Sequence, residues 1–193
     1  MLSPEQAGYL FCFKLASRIN YRIEQPHRVL FQLAVRAATG SDIVHVEIVR
    51  VSPSQTAEWS YNFLARGCFQ DYHSRCLTDA YVHVFLPLTL PQLQAGDAYL
   101  GGILGEKYNF LGLIPAWWHQ FYPPQPALRH DNVQGGRVFC SEAALWLLYK
   151  VGVYQGGVQP EDCTPAQFYD ILIKCPCRLK PPPGAPSRLN AWN

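Results

Sequence analysis

Charged residues are scarce in this sequence: they make up 16% of its 193 positions, against about a quarter in a typical globular chain. The few charges nearly cancel, to a formal net charge of +2, so there is no broad basic surface of the kind that binds nucleic acid. We therefore expect no nucleic-acid partner. The low charge instead indicates a somewhat apolar surface, suited to a partner or an apolar ligand.

Long apolar runs are also missing. No segment approaches the roughly 18 residues that a membrane-spanning helix needs. The first 19 residues are interrupted by Pro4, Glu5, Lys14 and Arg18, which excludes a secretory signal there. The seven cysteines are odd in number, so we expect thiols in a reducing, cytoplasmic compartment rather than a disulfide framework.

Metal-ligand patterns are equally sparse. The pair Cys175 and Cys177 has no second cysteine or histidine pair at the spacing of a zinc site. We therefore predict no metal and no cofactor.

The chain is large enough, and at 49% hydrophobic residues apolar enough, to bury one core. It contains no internal repeat and no linker, so we predict a single domain over residues 1–178. The tail over 179–193 carries three consecutive prolines at 181–183 and is predicted to be extended or disordered. The oligomeric state cannot be inferred from these features.

Periodicity and capping signals predict an α+β order, with helices before and after a group of strands. A helix that starts at Ser3-Pro4-Glu5-Gln6 is predicted to end near Arg18. Residues 122–136 contain three prolines and two glycines, and are predicted to form a surface loop or a lid. The remaining predicted helices are 26–38, 91–105, 140–151 and 164–173, and the predicted strands are 42–51, 57–64 and 81–86.

Cys140 is predicted to open a helix, directly after a loop that contains Arg137. Unpaired backbone N–H groups at a helix start favour a thiolate and can stabilise an oxyanion, so this position suits a nucleophile. The alternative is a small, buried and inert cysteine, because burial raises a thiol pKa as readily as a helix end lowers it.

His45 lies in the middle of a predicted strand and supplies a candidate base. Because strand positions alternate, it shares one face with Glu47, while Val44, Val46 and Ile48 form an apolar face directed to the core. We expect the His45 face to line a groove or an edge. His83, on another predicted strand, is the second choice of base.

A base needs a partner that orients its other ring nitrogen. Glu58, on the next strand, is predicted to lie beside His45 across a hairpin. Glu47 is the alternative, although it lies about 7 Å along the same strand, which is long for a direct bond. Glu47 is otherwise expected to contact substrate. Glu142, in the first turn of the predicted helix, complements the helix dipole.

Four short motifs occur in an informative order: Asp42 to Val49, Lys107 to Gly112, Phe139 to Glu142 and Thr164 to Tyr169. With them the chain resembles the circularly permuted branch of the NlpC-type, papain-fold cysteine hydrolases. That branch has bacterial, phage and viral members and is distantly related to lecithin:retinol acyltransferase. The resemblance covers about residues 42–172. It departs from the family pattern where Glu47 replaces a glycine that often follows the histidine-valine pair.

The resemblance implies a permuted papain-like fold, with an antiparallel sheet packed against the Cys140 helix and flanking helices. It implies Cys140 as nucleophile, His45 as base, a polar third residue from the sheet and Tyr108 near the site. The implied substrates are peptides or acyl lipids, and the protein would then be a phage or viral one that acts in a host cell or virion. Acyl transfer is an alternative outcome of the same chemistry.

A different hypothesis is a non-catalytic binding module, which uses the aromatic segment around Trp118 as a contact surface. Under the catalytic hypothesis, Trp118 is instead expected to contact substrate. The presence of both Cys140 and His45 in suitable contexts favours a thiol hydrolase over a binding module.

Overall fold

The structure is a computed structural model that describes residues 7–19, 26–52, 57–64, 67–71, 78–108 and 137–175. These residues form a mixed α and β fold, as predicted. The strands are β1 (Gly8–Leu15), β2 (Ile43–Val51), β3 (Ala57–Leu64), β4 (Gly67–Asp71), β5 (Tyr81–Pro87), β6 (Lys107–Tyr108) and β7 (Arg137–Val138). The α-helices are α1 (Pro26–Thr39), α2 (Leu90–Gly102), α3 (Cys140–Lys150) and α4 (Pro165–Lys174), and short 3₁₀ turns cover Ala16–Arg18 and Pro160–Asp162.

Five strands form an antiparallel sheet in the order β4-β3-β2-β1-β5. β1 is therefore an inner strand that pairs with β2 on one side and β5 on the other. The predicted helix over 3–18 is wrong for this segment. Both faces of β1 are buried, so its apolar residues form an almost continuous run in which the two-residue period of a strand is hidden. The helix-start signal at residues 3–6 lies outside the described residues.

The other predicted elements are confirmed within a few residues at their ends, and three short strands, β4, β6 and β7, were not predicted. β4 is an edge strand that begins at Gly67. Gly67 has a φ of +109°, and a Cβ there would lie 2.3 Å from the backbone oxygen of Glu106. Only glycine fits this turn, which lets the Cys68 N–H donate to the same oxygen at 2.8 Å.

One face of the sheet packs against the helices. The helix residues Leu93, Leu147 and Phe168 belong to one apolar core with the odd-numbered aromatic residues of β1. The ring of Phe168 meets that of Phe11 edge to face, with centroids 5.3 Å apart. This arrangement confirms the prediction that an antiparallel sheet packs against the helix that begins at Cys140.

The other face of the sheet carries three rows of side chains that run across β2, β1 and β5. The row formed by Val49, Leu10 and Phe85 is apolar and belongs to a second core cluster. The other two rows, here called the polar rows, are polar yet buried: their histidines, lysine and glutamate are each 7% exposed or less. In order across the sheet, the rows are His45, Lys14 and Tyr81; then Glu47, Cys12 and His83; then Val49, Leu10 and Phe85.

Candidate active site

Cys140 is the first residue of α3, and the segment before it explains its position. β7 pairs in parallel with β6, and the pairing of Val138 with Tyr108 brings Tyr108 to the start of α3. Phe139 is extended and fully buried, and its backbone N–H donates to Glu142 Oε2 at 3.2 Å. Glu142 therefore caps the helix that presents Cys140.

The Cys140 sulfur lies against the backbone of β2. It accepts a hydrogen bond from the backbone N–H of Val46, the residue that directly follows His45. The pairing of β2 with β3 spans Ile48 to Val51, so α3 approaches β2 beyond the end of that pairing. The thiol is thus within hydrogen-bond range of the peptide group that joins His45 to Val46.

Burial raises the pKa of the Cys140 thiol, which is 1% exposed. Hydrogen bonds from the Val46 N–H, the Tyr108 hydroxyl and the Ser141 N–H lower it, but only in part. The net direction is upward. Of the two alternatives that the sequence left open, the pKa follows the effect of burial, because loss of solvent outweighs the donors. The side chain of Arg137 lies outside the described residues.

Tyr108 is buried beside the thiol. Its hydroxyl donates to Cys140 Sγ at 3.9 Å, within the longer range of hydrogen bonds to sulfur, and its ring meets that of Phe31 from α1 edge to face at 6.0 Å. Burial raises the pKa of Tyr108 well above its ordinary value, so the hydroxyl keeps its proton and acts as a donor. Tyr108 therefore lies at the sulfur, as the resemblance implied.

His45 and Glu47 lie together on the polar rows, as the alternation of β2 predicted. Nε2 of His45 is 3.9 Å from Glu47 Oε1, so the glutamate side chain leans along the strand toward the imidazole. The same carboxylate oxygen accepts a hydrogen bond of 2.9 Å from the hydroxyl of Tyr81 on β5. The His45 side chain leaves β2 on the face opposite to Val46, whereas the Cys140 sulfur meets β2 at the Val46 amide.

Glu58 does not lie beside His45, contrary to the sequence prediction. In the β2–β3 register, Arg50 pairs with Trp59 and Val51 with Ala57, so Glu58 lies at a bulge near the last residue of β2. His45 lies five residues before Arg50 on β2, at the other end. The strands were predicted correctly, but their register depends on the bulge at Glu58, which alternation alone does not determine.

Sequence reasoning missed Lys14, Cys12 and Tyr81 as neighbours of His45 and Glu47. Lys14 and Cys12 were missed because β1 was predicted as a helix, and the only trace of its alternation in the sequence is an aromatic residue at every second position over 9–13. Tyr81 could not be found from sequence because it lies two strands away from β2. His83, the second-choice base, lies on the same face, opposite Cys12. Trp118, the predicted lid over 122–136 and the tail lie outside the described residues.

A carboxylate cluster lies at the start of α3. Burial raises the pKa of Glu142 from its ordinary value of 4.5 to about 7, and the charges of Glu161 and Glu106 add to the rise. Burial also raises the pKa of Glu106. At neutral pH, Glu142 is therefore partly protonated while its oxygen still accepts the Phe139 N–H.

Within the described ranges, no three histidine, cysteine or acidic side chains are grouped so that they could hold a metal ion. None of the helices over these residues has the length and apolar character to cross a membrane. No protein-family model, curated protein or solved structure matches the chain.

Proposed function

We propose that the protein is a cysteine hydrolase that cleaves amide or ester bonds through an acyl-enzyme on Cys140. One observation supports this proposal: the Cys140 sulfur accepts the backbone N–H of Val46, so the thiol lies against the strand that carries His45, the candidate base. His45, Glu47 and Tyr108 supply the other groups that such a reaction needs.

Because the pKa of the Cys140 thiol is raised, the proposed reaction requires a base. A thiol that is protonated at neutral pH must lose its proton as it attacks, and His45 would accept it. In this proposal Nδ1 accepts the proton, because Nε2 of His45 lies 3.9 Å from Glu47 Oε1. Glu47 would hold that tautomer and stabilise the imidazolium that forms.

The proposed reaction has two steps, acylation of Cys140 and hydrolysis of the resulting thioester. The sulfur forms a bond to the carbonyl carbon, and the first-turn N–H groups of α3 stabilise the oxyanion. The leaving amine or alcohol departs with the proton from His45, which leaves a thioester on Cys140. Water gives a proton to His45 and attacks the thioester, and the C–S bond breaks to release the acid and restore the thiol. Another acceptor in place of water would give acyl transfer.

The permuted NlpC-type resemblance agrees with this chemistry. The histidine strand comes before the cysteine helix in the chain, and an antiparallel sheet packs on that helix. We propose on this basis a permuted papain-like fold and substrates that are peptides or acyl lipids, for a phage or viral protein that acts in the host cytoplasm.

The alternative is a binding module that retains the fold without the reaction. Its support is the burial of Cys140, which at 1% exposure and with a raised pKa has the properties of an inert core thiol. The two functions differ in whether the reactivity of this thiol depends on His45.

Site-resolved alkylation separates the two functions. Iodoacetamide is applied from pH 6 to 10 to the folded protein, and peptide mass spectrometry gives the rate at each cysteine. Buried Cys68 and Cys163, whose pKa values are also raised, serve as internal references. We expect Cys140 to react faster than both, and His45→Ala to slow it by about tenfold or more. The matched control is His83→Ala, which removes the other histidine of the polar rows.

A Cys140 that reacts only on unfolding, together with the two reference thiols, would support the binding module instead.

A second measurement addresses the acyl-enzyme. Brief exposure to a small activated acetate ester should add one acetyl group to Cys140 in the wild type and none in Cys140→Ser. The third residue is assigned by comparing Glu47→Gln with Glu58→Gln in the alkylation assay, where we expect only Glu47→Gln to slow Cys140 near neutral pH.

A further inference from the structure

We propose that Tyr81 is a positioning residue that fixes Glu47 and, through it, the imidazole of His45. This inference rests on the proposed function for its catalytic meaning. Its geometry rests on a chain of contacts across the sheet: the Tyr81 hydroxyl donates to Glu47 Oε1 at 2.9 Å, and that oxygen is 3.9 Å from Nε2 of His45.

Glu47 needs such a partner because of where it lies. Side chains two residues apart on one face of a strand are separated by about 7 Å at their Cα atoms, so Glu47 must lean along β2 to approach His45. A glutamate side chain has several rotamers of similar energy, and a contact of 3.9 Å to an imidazole is too long to select one. The hydroxyl of Tyr81 donates to the same carboxylate at 2.9 Å, an ordinary hydrogen-bond distance.

The hydrogen bond also has an electronic effect. A donor to the ionised form of a carboxylate favours that form and makes the oxygen less basic. Glu47 can then attract the Nε2 proton of His45 without removing it. The proton would stay on Nε2, and Nδ1 would accept the proton of the Cys140 thiol.

The sheet itself holds Tyr81 in place. Its ring packs against the apolar cluster that includes Cys12, and the small side chain of Cys12 lies on β1 between β5 and β2. Lys14 Nζ lies 5.7 Å from the centroid of the Tyr81 ring, a cation–π distance. The described titratable groups of this face that surround the contact are therefore Lys14, Cys12 and His83.

The direct test compares Tyr81→Phe with Tyr149→Phe. The first variant removes only the hydroxyl that reaches Glu47. The matched control removes a hydroxyl from α3 that donates to the Gly156 carbonyl at 2.7 Å, near the other end of that helix. Both proteins are assayed for alkylation of Cys140 across pH, and by ¹⁵N NMR of histidine, which reports the ring nitrogen that carries the proton.

We expect Tyr81→Phe to slow Cys140 alkylation about tenfold near pH 7, the effect of losing one hydrogen bond to a charged group. We also expect the His45 spectrum to change from one Nε2-protonated tautomer to a mixture. Tyr149→Phe should change neither. In a Glu47→Gln background, Tyr81→Phe should have little further effect, because both changes act through the same carboxylate.

The two proposals fail in different ways. If His45→Ala leaves Cys140 alkylation unchanged, the proposed hydrolase is wrong, whereas the tautomer measurement still tests whether Tyr81 orders His45. If His45→Ala slows alkylation but Tyr81→Phe leaves both the rate and the tautomer as in the wild type, the role of Tyr81 is overturned and the hydrolase stands.

Discussion

Glu142 makes the stability of this protein depend on pH in a direction opposite to that of most carboxylates. Burial raises its pKa from 4.5 to about 7, so the folded state binds the proton more tightly than the unfolded chain does. The stabilising contribution of the protonated form is complete below pH 4.5, decreases as the pH rises toward 7, and is absent above that value. We therefore predict that Glu142→Gln, which mimics the protonated acid, relieves a penalty that grows with pH.

The size of this effect follows from the pKa values. The full rise from 4.5 to about 7 corresponds to about 3 kcal/mol, because each pKa unit is about 1.4 kcal/mol. Part of the penalty is already present at pH 5.5, so the advantage of Glu142→Gln over the wild type should grow by about 2 kcal/mol between pH 5.5 and 8.5. The amide oxygen of glutamine can still accept the Phe139 N–H, so the cap is retained.

The measurement is urea unfolding of both proteins at the two pH values, followed by fluorescence and circular dichroism to establish a two-state transition. Asp170→Asn, which removes one exposed negative charge from α4, controls for the change in net charge. An advantage of Glu142→Gln that stays constant from pH 5.5 to 8.5, or shrinks, would refute the reasoning.

Two further predictions concern the helices. Gly96→Ala should destabilise the protein by about 1–3 kcal/mol, because its Cβ would lie 2.7 Å from the Tyr9 hydroxyl. In the same helix, a Cβ at Gly101 meets nothing within 4 Å, so Gly101→Ala should stabilise the protein by about 0.5–1 kcal/mol. Equal shifts of the melting temperature in the two variants would contradict this. Thr164→Ala should cost about 1 kcal/mol in urea unfolding by removing the cap that accepts the Gln167 N–H at 3.2 Å, while Thr164→Ser should retain most of it.

The elements with one buried face or a strong start signal could be predicted from the sequence. The capping box at Thr164 and Gln167 is present at the start of α4, and the helix that begins at Cys140 follows its predicted bounds. The alternation of β2 correctly placed His45 and Glu47 on one face and Val46 on the other. Each of these signals is local, so tertiary packing did not need to be known.

The geometry of the candidate site depends on the pairing of strands that are far apart in the chain, and local sequence patterns do not determine that pairing. The β2–β3 register moved Glu58 away from His45, and the buried inner position of β1 concealed its strand character. The sequence also left the direction of the Cys140 pKa shift open, between a helix start that lowers it and burial that raises it. The rise reflects how completely β2, Tyr108 and the start of α3 enclose the sulfur, and that enclosure is a property of the packed fold.

The inner position of β1 has a consequence for how the chain reaches this structure. Gly8 pairs with Pro87 and Lys14 with Tyr81, so the sheet cannot close around its earliest strand until the chain far beyond it is available. Until then, both long edges of β1 offer unpaired backbone groups to any other strand nearby. Because the Tyr81–Glu47 contact spans β1, it can form only after this closure. The arrangement proposed for the chemistry of Cys140 would therefore be complete only when β1 has paired with both β2 and β5.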